Sequence, residues 1–354
     1  MLNDPLNHPM PTNARDGAST PVVASRDPNA ENFMKRTLLS LAVAATSAFG
    51  ATVAFAQSYP TKPIRAVLAL GGGGETLARL VGQRVGEALG QPLVIDPQPA
   101  VAGSIAAAQV ARAAPDGYTI MYAATNSQVY RPFLAKNVPY DPIKDFTPIA
   151  MMSEAVLVVA VSNASGINSM QDLVARARKE PGKLFYGTSG VGTSHHLSAE
   201  LLQNVIGTKM THVPYKDPAI VATELMADRL PTGWGIFGTM YQPHVTGKLR
   251  IIAINNTKRY ARTPDIPTVG EGVPGYTPPP GWNAWFGPAG MPRPIVQKLN
   301  VEISKAVTAP DLKDKIDALG FIPVTSTPEE LGEITKKGLE IAGKIIKDAG
   351  IQPE

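Results

Sequence analysis

The chain has 354 residues, 44% of them hydrophobic and 18% charged, with a net charge of +4, a balance that fits a soluble globular protein and speaks against a disordered or membrane-embedded one. Its lysines and arginines are scattered, with no basic run interleaved with aromatics, so nucleic-acid binding has no support. The absence of cysteine removes disulfides, thiolate metal sites, a cysteine nucleophile and a lipidated cysteine.

Residues 1 to 33 are polar, rich in proline and asparagine, and aperiodic. Met34-Lys35-Arg36 then precedes the apolar Thr37-Leu38-Leu39-Ser40-Leu41-Ala42-Val43, and the stretch ends in Ala54-Phe55-Ala56. A basic start, an apolar middle and an Ala-x-Ala end mark a secretory signal peptide cut after Ala56. A membrane anchor needs about 20 strongly apolar residues, whereas this stretch is mostly Ala, Ser and Thr. The sequence therefore predicts an exported, periplasmic mature chain starting at Gln57, with Met34 as the true start.

From Tyr59 onward, short β-like runs alternate with helical stripes. Ile64 to Leu70 reads as a buried strand, followed by the loop Gly71 to Gly74. Leu77, Leu80, Val81, Val85, Ala88 and Leu89 form a helical face, begun at Glu75 or Thr76 and closed by Gly90. Pro92 to Ile95 is a second strand, Ile105 to Ala113 a second helix and Tyr118 to Tyr122 a third strand, and the loop Ala123 to Arg131 follows. Val156 to Val161 is an unbroken apolar strand, and Ser169 with Asp172 makes a capping box for a helix through Ala177.

The stretch Tyr186 to Gly207 repeats the pattern in its clearest form. An apolar run, Lys183 to Tyr186, leads into a loop of glycines and hydroxyls, Gly187 to Ser194. Leu197, Leu201, Leu202, Val205 and Ile206 then recur at helical spacing and Gly207 closes the helix. A helix N-terminus carries roughly half a positive charge and unpaired N–H groups, so the loop suits an anion. Thr188, Ser189, Thr193 and Ser194 add hydroxyl donors. The alternative is a bare turn capped by Thr193 or Ser194, with no ligand.

Thr211 to Tyr215 follows as a strand, then a helix near Ala219 to Ala227 and a strand from Leu249 to Ile254. Arg262 to Pro280 is a proline-rich connection, and Trp282 to Phe286 is a strand. Helices over Pro294 to Val307, Asp311 to Leu319 and Pro328 to Ala349 finish the chain, the last with Thr327 as cap and Glu330 three residues later. Alternating strands and helices imply an α/β fold with largely parallel sheets, whose ligands sit outside the carboxyl ends of the strands.

Enzyme signatures are weak. Gly187-Thr188-Ser189-Gly190-Val191 is not a G-x-S-x-G elbow, because Val stands at the last position. His196 and Glu200 have a metal-ligating spacing but no third ligand nearby. Neither glycine loop reads G-x-G-x-x-G. The sequence predicts no metal, no cofactor and no catalytic residue.

Many pieces resemble, in order, the Bug receptors, the TctC-like periplasmic solute-binding proteins of tripartite tricarboxylate transporters. They include YPTKPIR at 59–65, GGGGETLAR at 71–79, GQPLVID at 90–96, APDGYTI at 114–120 and PYDPIKDFTPIA at 139–150. PGKLFYGTSGVGTSHHLSAELL at 181–202, HVPYK at 212–216, GKLR at 247–250, PDIPTVGE at 264–271 and PAGMP at 288–292 continue the set. The resemblance implies a two-domain periplasmic-binding-protein fold of type II kind, with two mixed, mostly parallel sheets flanked by helices. Two crossing strands would join the domains around a ligand cleft. Residues 57–158 plus 282–354 would form domain 1 and 159–281 domain 2, after the 1–56 extension and signal peptide.

Both glycine loops would face the cleft. The implied ligand-binding residues are Gly72, Gly73, Gly74, Glu75 and Thr76; Asn126 and Ser127; Thr188, Ser189, Gly190, Gly192, Thr193, Ser194 and His196; and Asp217. The implied ligand is a small carboxylate, either a di- or tricarboxylate or an aromatic or amino-acid carboxylate. The implied partners are the membrane components of a transporter, or a membrane sensor, and the implied state is a monomer. A hydrolase or lyase acting on a small carboxylate on the same scaffold is the alternative. The chain departs from the family at the proline-free first loop, at Asp217 where the family usually has Gly, at Arg131 where it often has Asn, and at Trp234 to Gly238, which lacks the family's Phe-Asp pair.

Overall fold

A computed structural model describes residues 59 to 353, residue 349 excepted. The expected signal peptide, its upstream extension and the mature start at Gln57 lie outside the described residues. The strands are β1 (Ile64–Leu68), β2 (Leu93–Pro97), β3 (Thr119–Ala124), β4 (Phe146–Ala155), β5 (Leu157–Val161), β6 (Phe185–Thr188), β7 (Thr211–Pro214), β8 (Thr232–Ile236), β9 (Arg250–Ile254), β10 (Trp282–Pro288) and β11 (Phe321–Pro323). They form a six-stranded sheet in the order β11-β4-β10-β3-β1-β2 and a five-stranded sheet in the order β7-β6-β8-β5-β9. In the first, β1, β2, β3 and β4 run one way and β10 and β11 the other. In the second only β5 is reversed.

The helices are α1 (Gly73–Leu89), α2 (Ser104–Ala111), α3 (Arg131–Leu134), α4 (Met170–Lys179), α5 (Ser194–Ile206), α6 (Pro218–Met226), α7 (Phe237–Val245), α8 (Val269–Gly272), α9 (Arg293–Val307), α10 (Pro310–Ala318) and α11 (Pro328–Asp348). Each sheet is covered on both faces. Ala66 and Leu68 pack with Val81 of α1 and Leu299 of α9, while Val67 between them packs with Val110 of α2 and Ala342 of α11. Val159 and Trp234 pack towards α4 and α5, whereas Val158 and Ala160 pack towards α6 and α7. Strands buried on both sides explain the unbroken apolar runs in the sequence. None of the described helices is long and apolar enough to cross a membrane.

The capping signals hold. The Ser169 side chain accepts from Asp172 N, and Thr327 and Glu330 exchange reciprocal bonds of 2.8 and 3.1 Å. Gly90 and Gly207 close their helices in the left-handed conformation. The first helix starts earlier than its apolar stripe, with Gly72 rather than Glu75 or Thr76 as the N-cap.

The chain passes from β4 to β5 with only Val156 between them and returns through residues 255 to 281. Asn256 brackets this junction, its Oδ1 accepting from Leu157 N and its Nδ2 donating to Ala155 O, both at 3.0 Å. Val156 N donates to Gly320 O, and Phe237 N donates to Val156 O. Beside it, α7 starts against the turn before β11. A Cβ on Gly238 would stand 2.3 Å from Leu319 O, and one on Gly320 would stand 2.4 Å from Gly238 N. The two backbones touch, and only glycine permits it.

Candidate functional site

The carboxyl ends of the parallel strands carry the loops that the sequence singles out. After β1, Gly72 takes φ 62° and starts α1 with no side-chain cap. Glu75 turns along the helix to pair with Arg79 at 2.7 Å, and the Thr76 hydroxyl reaches back to Gly72 O. Across from this loop stands Asp217, after β7. Its Oδ1 accepts from Ala219 N at 2.7 Å and caps α6, while its Oδ2 lies 3.9 Å from the position of a Cβ on Gly72. An acid thus sits opposite the uncapped N-terminus of α1, where the macrodipole favours it.

The loop after β6 is held from within. Thr193 caps α5, its hydroxyl donating to Gly190 O at 2.8 Å and accepting from His196 N at 3.3 Å. The Thr188 hydroxyl lies 2.6 Å from His212 Nε2, and Gly192 N donates to His196 Nδ1. The rings of Tyr186, His212 and His196 stack in series, with centroids 4.9 and 4.3 Å apart. Glu200 accepts from Tyr186 and Gln203, both at 2.6 Å. Burial alone would raise the Glu200 pKa, but these two donors, with His196 and Lys209 nearby, hold it below the usual range. Burial, reinforced by His196, pushes His212 down to about 4, so it is neutral at pH 7. The glycine loop therefore rests on a polar, ring-stacked floor.

The two sheets meet at the front of this loop. Asn126, on a π-helical turn (Asn126–Tyr130) after β3, accepts from Ser194 N through Oδ1 at 3.2 Å. Leu197 of α5 packs with Val129 and Tyr130 from the same turn. Ser127 holds the turn, its hydroxyl donating to Ala124 O and its carbonyl accepting from Tyr140. The structure thus brings Asn126 to Ser194, and Asp217 to Gly72. Within the second loop, Thr188, Ser189, Gly190, Gly192 and Thr193 are each tied to a loop neighbour or to a histidine.

Three further residues at this edge escape sequence reasoning. Gln128 is fully buried, and neither amide atom has a hydrogen-bond partner among the described residues. His195 is 4% exposed, with Nδ1 at 2.5 Å from the Ser189 hydroxyl and Nε2 buried without a partner. Burial pushes its pKa down to about 4. Trp282, at the start of β10 beside the end of β3, has a buried indole N–H without a partner. Buried polar groups are nearly always satisfied, so these atoms are exceptions to the rule. His195 is adjacent to a residue already singled out, but only long-range packing buries it. Gln128 and Trp282 carry no local signal at all. The described residues hold no group of three or more His, Cys, Asp or Glu placed to bind a metal.

Comparison with known proteins agrees with this architecture. The chain is 31% identical over 322 residues to a UPF0065 protein of Bordetella bronchiseptica, covering 90% of this chain and 95% of that protein. A solved structure, R. palustris Rpa4515 with adipate, is 30% identical with a TM-score of 0.78, covering 84% of this chain and all of that one. The periplasmic binding protein BugD is 26% identical with a TM-score of 0.75, again covering 84% of this chain and all of that one. The family model of the tripartite tricarboxylate transporter family receptor, TctC, matches residues 77–351. With more than half its length matched by that model, the chain belongs to the TctC receptor family, the Bug-type solute-binding proteins.

Proposed function

We propose that the protein captures a small organic carboxylate between two domains in the periplasm and delivers it, as a monomer, to the membrane components of a tripartite transporter. The first domain comprises residues 57–158 and 282–354, and the second spans 159–281, with 1–56 removed or upstream. The ligand lies at the seam where Asn126 meets Ser194. The buried, unpartnered polar atoms of Gln128, His195 and Trp282 carry this reading. If the Ser189 hydroxyl donates to Nδ1, His195 presents Nε2–H as a donor. Neutral donors of this kind bind a carboxylate by charge-assisted hydrogen bonds without a permanent counter-ion, which suits capture followed by release. The 30% identity to the adipate-bound relative makes adipate the reference acid, against which acids with a neutral or amine far end are compared. The protein performs no chemistry on it in this reading, and incubation with the bound acid leaves that acid unchanged.

Calorimetry with adipate and its shorter and longer dicarboxylate homologues tests the proposal. Ser189→Ala and Thr193→Ala each remove a hydroxyl that orders the loop. Each is expected to weaken binding roughly two- to tenfold, the scale of one neutral hydrogen bond lost from the loop that holds the ligand. Unchanged affinity in both variants would reduce the loop to a turn.

Asp217 sets the second specificity expectation. Its carboxylate repels an acid group at the α1 end by up to roughly 3 kcal/mol at about 6 Å and an effective dielectric near 20, before screening. The site therefore favours a ligand whose far end is neutral or an amine. Asp217→Gly is expected to shift a thermal-shift ranking of mono-, di- and amino-carboxylates towards plain dicarboxylates, while loss of the α6 cap costs only a few tenths of a kcal/mol. An identical ranking in both proteins would remove Asp217 from selection.

A further inference from the structure

A cavity of about 590 Å³ lies beside the second glycine loop, lined by Arg131, Leu134 and Lys136 from one side, Val191, Gly192 and His196 from the other, and the tail at residues 351–353. Two cations line it, and none of its described lining residues is acidic. Arg131 Nε is buried with no hydrogen-bond partner, and neither Arg131 nor Lys136 pairs with a carboxylate among the described residues. Leu134 meanwhile comes within 3.1 Å of the position of a Cβ on Gly192, so the cavity borders a point where α3 touches the loop before α5.

We infer that this cavity is a second anion site, distinct from the seam at Asn126 and Ser194, and that it takes a carboxylate group of a small polycarboxylate. The planar fork of a guanidinium matches the two oxygens of a carboxylate, and Lys136 adds a flexible point charge at the rim. A guest there touches both α3 and the 191–192 loop and ties the two together.

Citrate, titrated by calorimetry at fixed ionic strength, is the probe. Arg131→Gln is expected to weaken citrate binding on the order of tenfold or more, and Lys136→Gln, an exposed change without folding risk, about threefold. Ser189→Ala is expected to leave citrate binding unchanged while weakening the ligand of the seam, which separates failure of this inference from failure of the proposed function. Three results would overturn it. One is citrate affinity unchanged in the Arg131→Gln/Lys136→Gln double variant with an intact melting profile. Another is citrate binding lost in Ser189→Ala but kept in the double variant. The third is inorganic phosphate binding as tightly as citrate, which would make the cavity a general oxyanion site rather than a carboxylate one.

Discussion

Taking the protein from pH 7 to pH 5 is expected to cost about 2 kcal/mol of folding free energy through His195 alone, at 1.36 kcal/mol for each unit of pKa difference that titrates in the range. Burial lowers its pKa from 6.5 to about 4, so the folded protein keeps the ring neutral across this range. The unfolded chain takes up a proton as the pH falls below 6.5. Between pH 6.5 and 4 the unfolded state therefore binds more protons, and stability falls as the pH falls. Above 6.5 the term vanishes, and below 4 it stops growing. His212 contributes in the same direction, but less, because it is partly exposed. The measurement is denaturant unfolding at both pH values for wild type and His195→Ser. The stability difference between the two proteins should move by about 2 kcal/mol in favour of the variant at pH 5. A difference independent of pH would mean that His195 is not held neutral by burial.

Gly238→Ala is expected to cost about 3 kcal/mol and lower the melting temperature by roughly 6 °C. The new methyl would meet Leu319 O at 2.3 Å and Leu319 C at 2.6 Å, both backbone atoms that cannot swing aside. Relief requires α7 to move away from the turn before β11, next to the Val156 junction. Gly247→Ala makes the control: its φ is +70°, with nothing within 4 Å of the added atom. It bears only the strain of a left-handed alanine, about 1 kcal/mol. Equal melting temperatures for the two variants would show that the α7 contact gives way easily.

Most of the fold is legible in the sequence because strand, glycine loop and helix each leave a local mark. Gly90, Gly207, Ser169 and Thr327 end or begin helices for reasons contained within four residues. The sequence reading passes over β4, which sits between β10 and β11, because Pro148 interrupts it. The structure tolerates that proline at an irregularity of register between Trp285 and Phe286. It also passes over β8 and α7. Gly233 and Gly235 look like turn residues, yet Gly233 pairs with Gly187 under Val221, where an added Cβ would stand 2.6 Å from the valine. Glycine there lets α6 settle onto the sheet, a reason that lies in another element. Pro243 inside α7 hid that helix in the same way.

The site divides along the same line. Thr193, Ser189 and Gly190 announce themselves by composition, and their bonds, Thr193 to Gly190 and Ser189 to His195, are short-range. The partner of Ser194 is Asn126, which comes from 68 residues away along the chain. The neighbour of Gly72 is Asp217, which lies beyond β7 and belongs to the other sheet's end of the molecule. Gln128 and Trp282 become site candidates only because folding buries their polar atoms without answering them.

The position of β10 bears on when the molecule can fold. It lies between β3 and β4 and bonds to both, although the whole of the second sheet is made between β4 and β10. A growing chain that has reached Gly281 holds β1 to β4 but lacks the central strand that joins β3 to β4, so its first sheet is split down the middle. The second sheet, by contrast, is complete once Ile254 has emerged. The half of the molecule that is synthesised first is thus the half that is finished last. A chain threaded through a membrane from its N-terminus would keep that half open until nearly all of its length had followed.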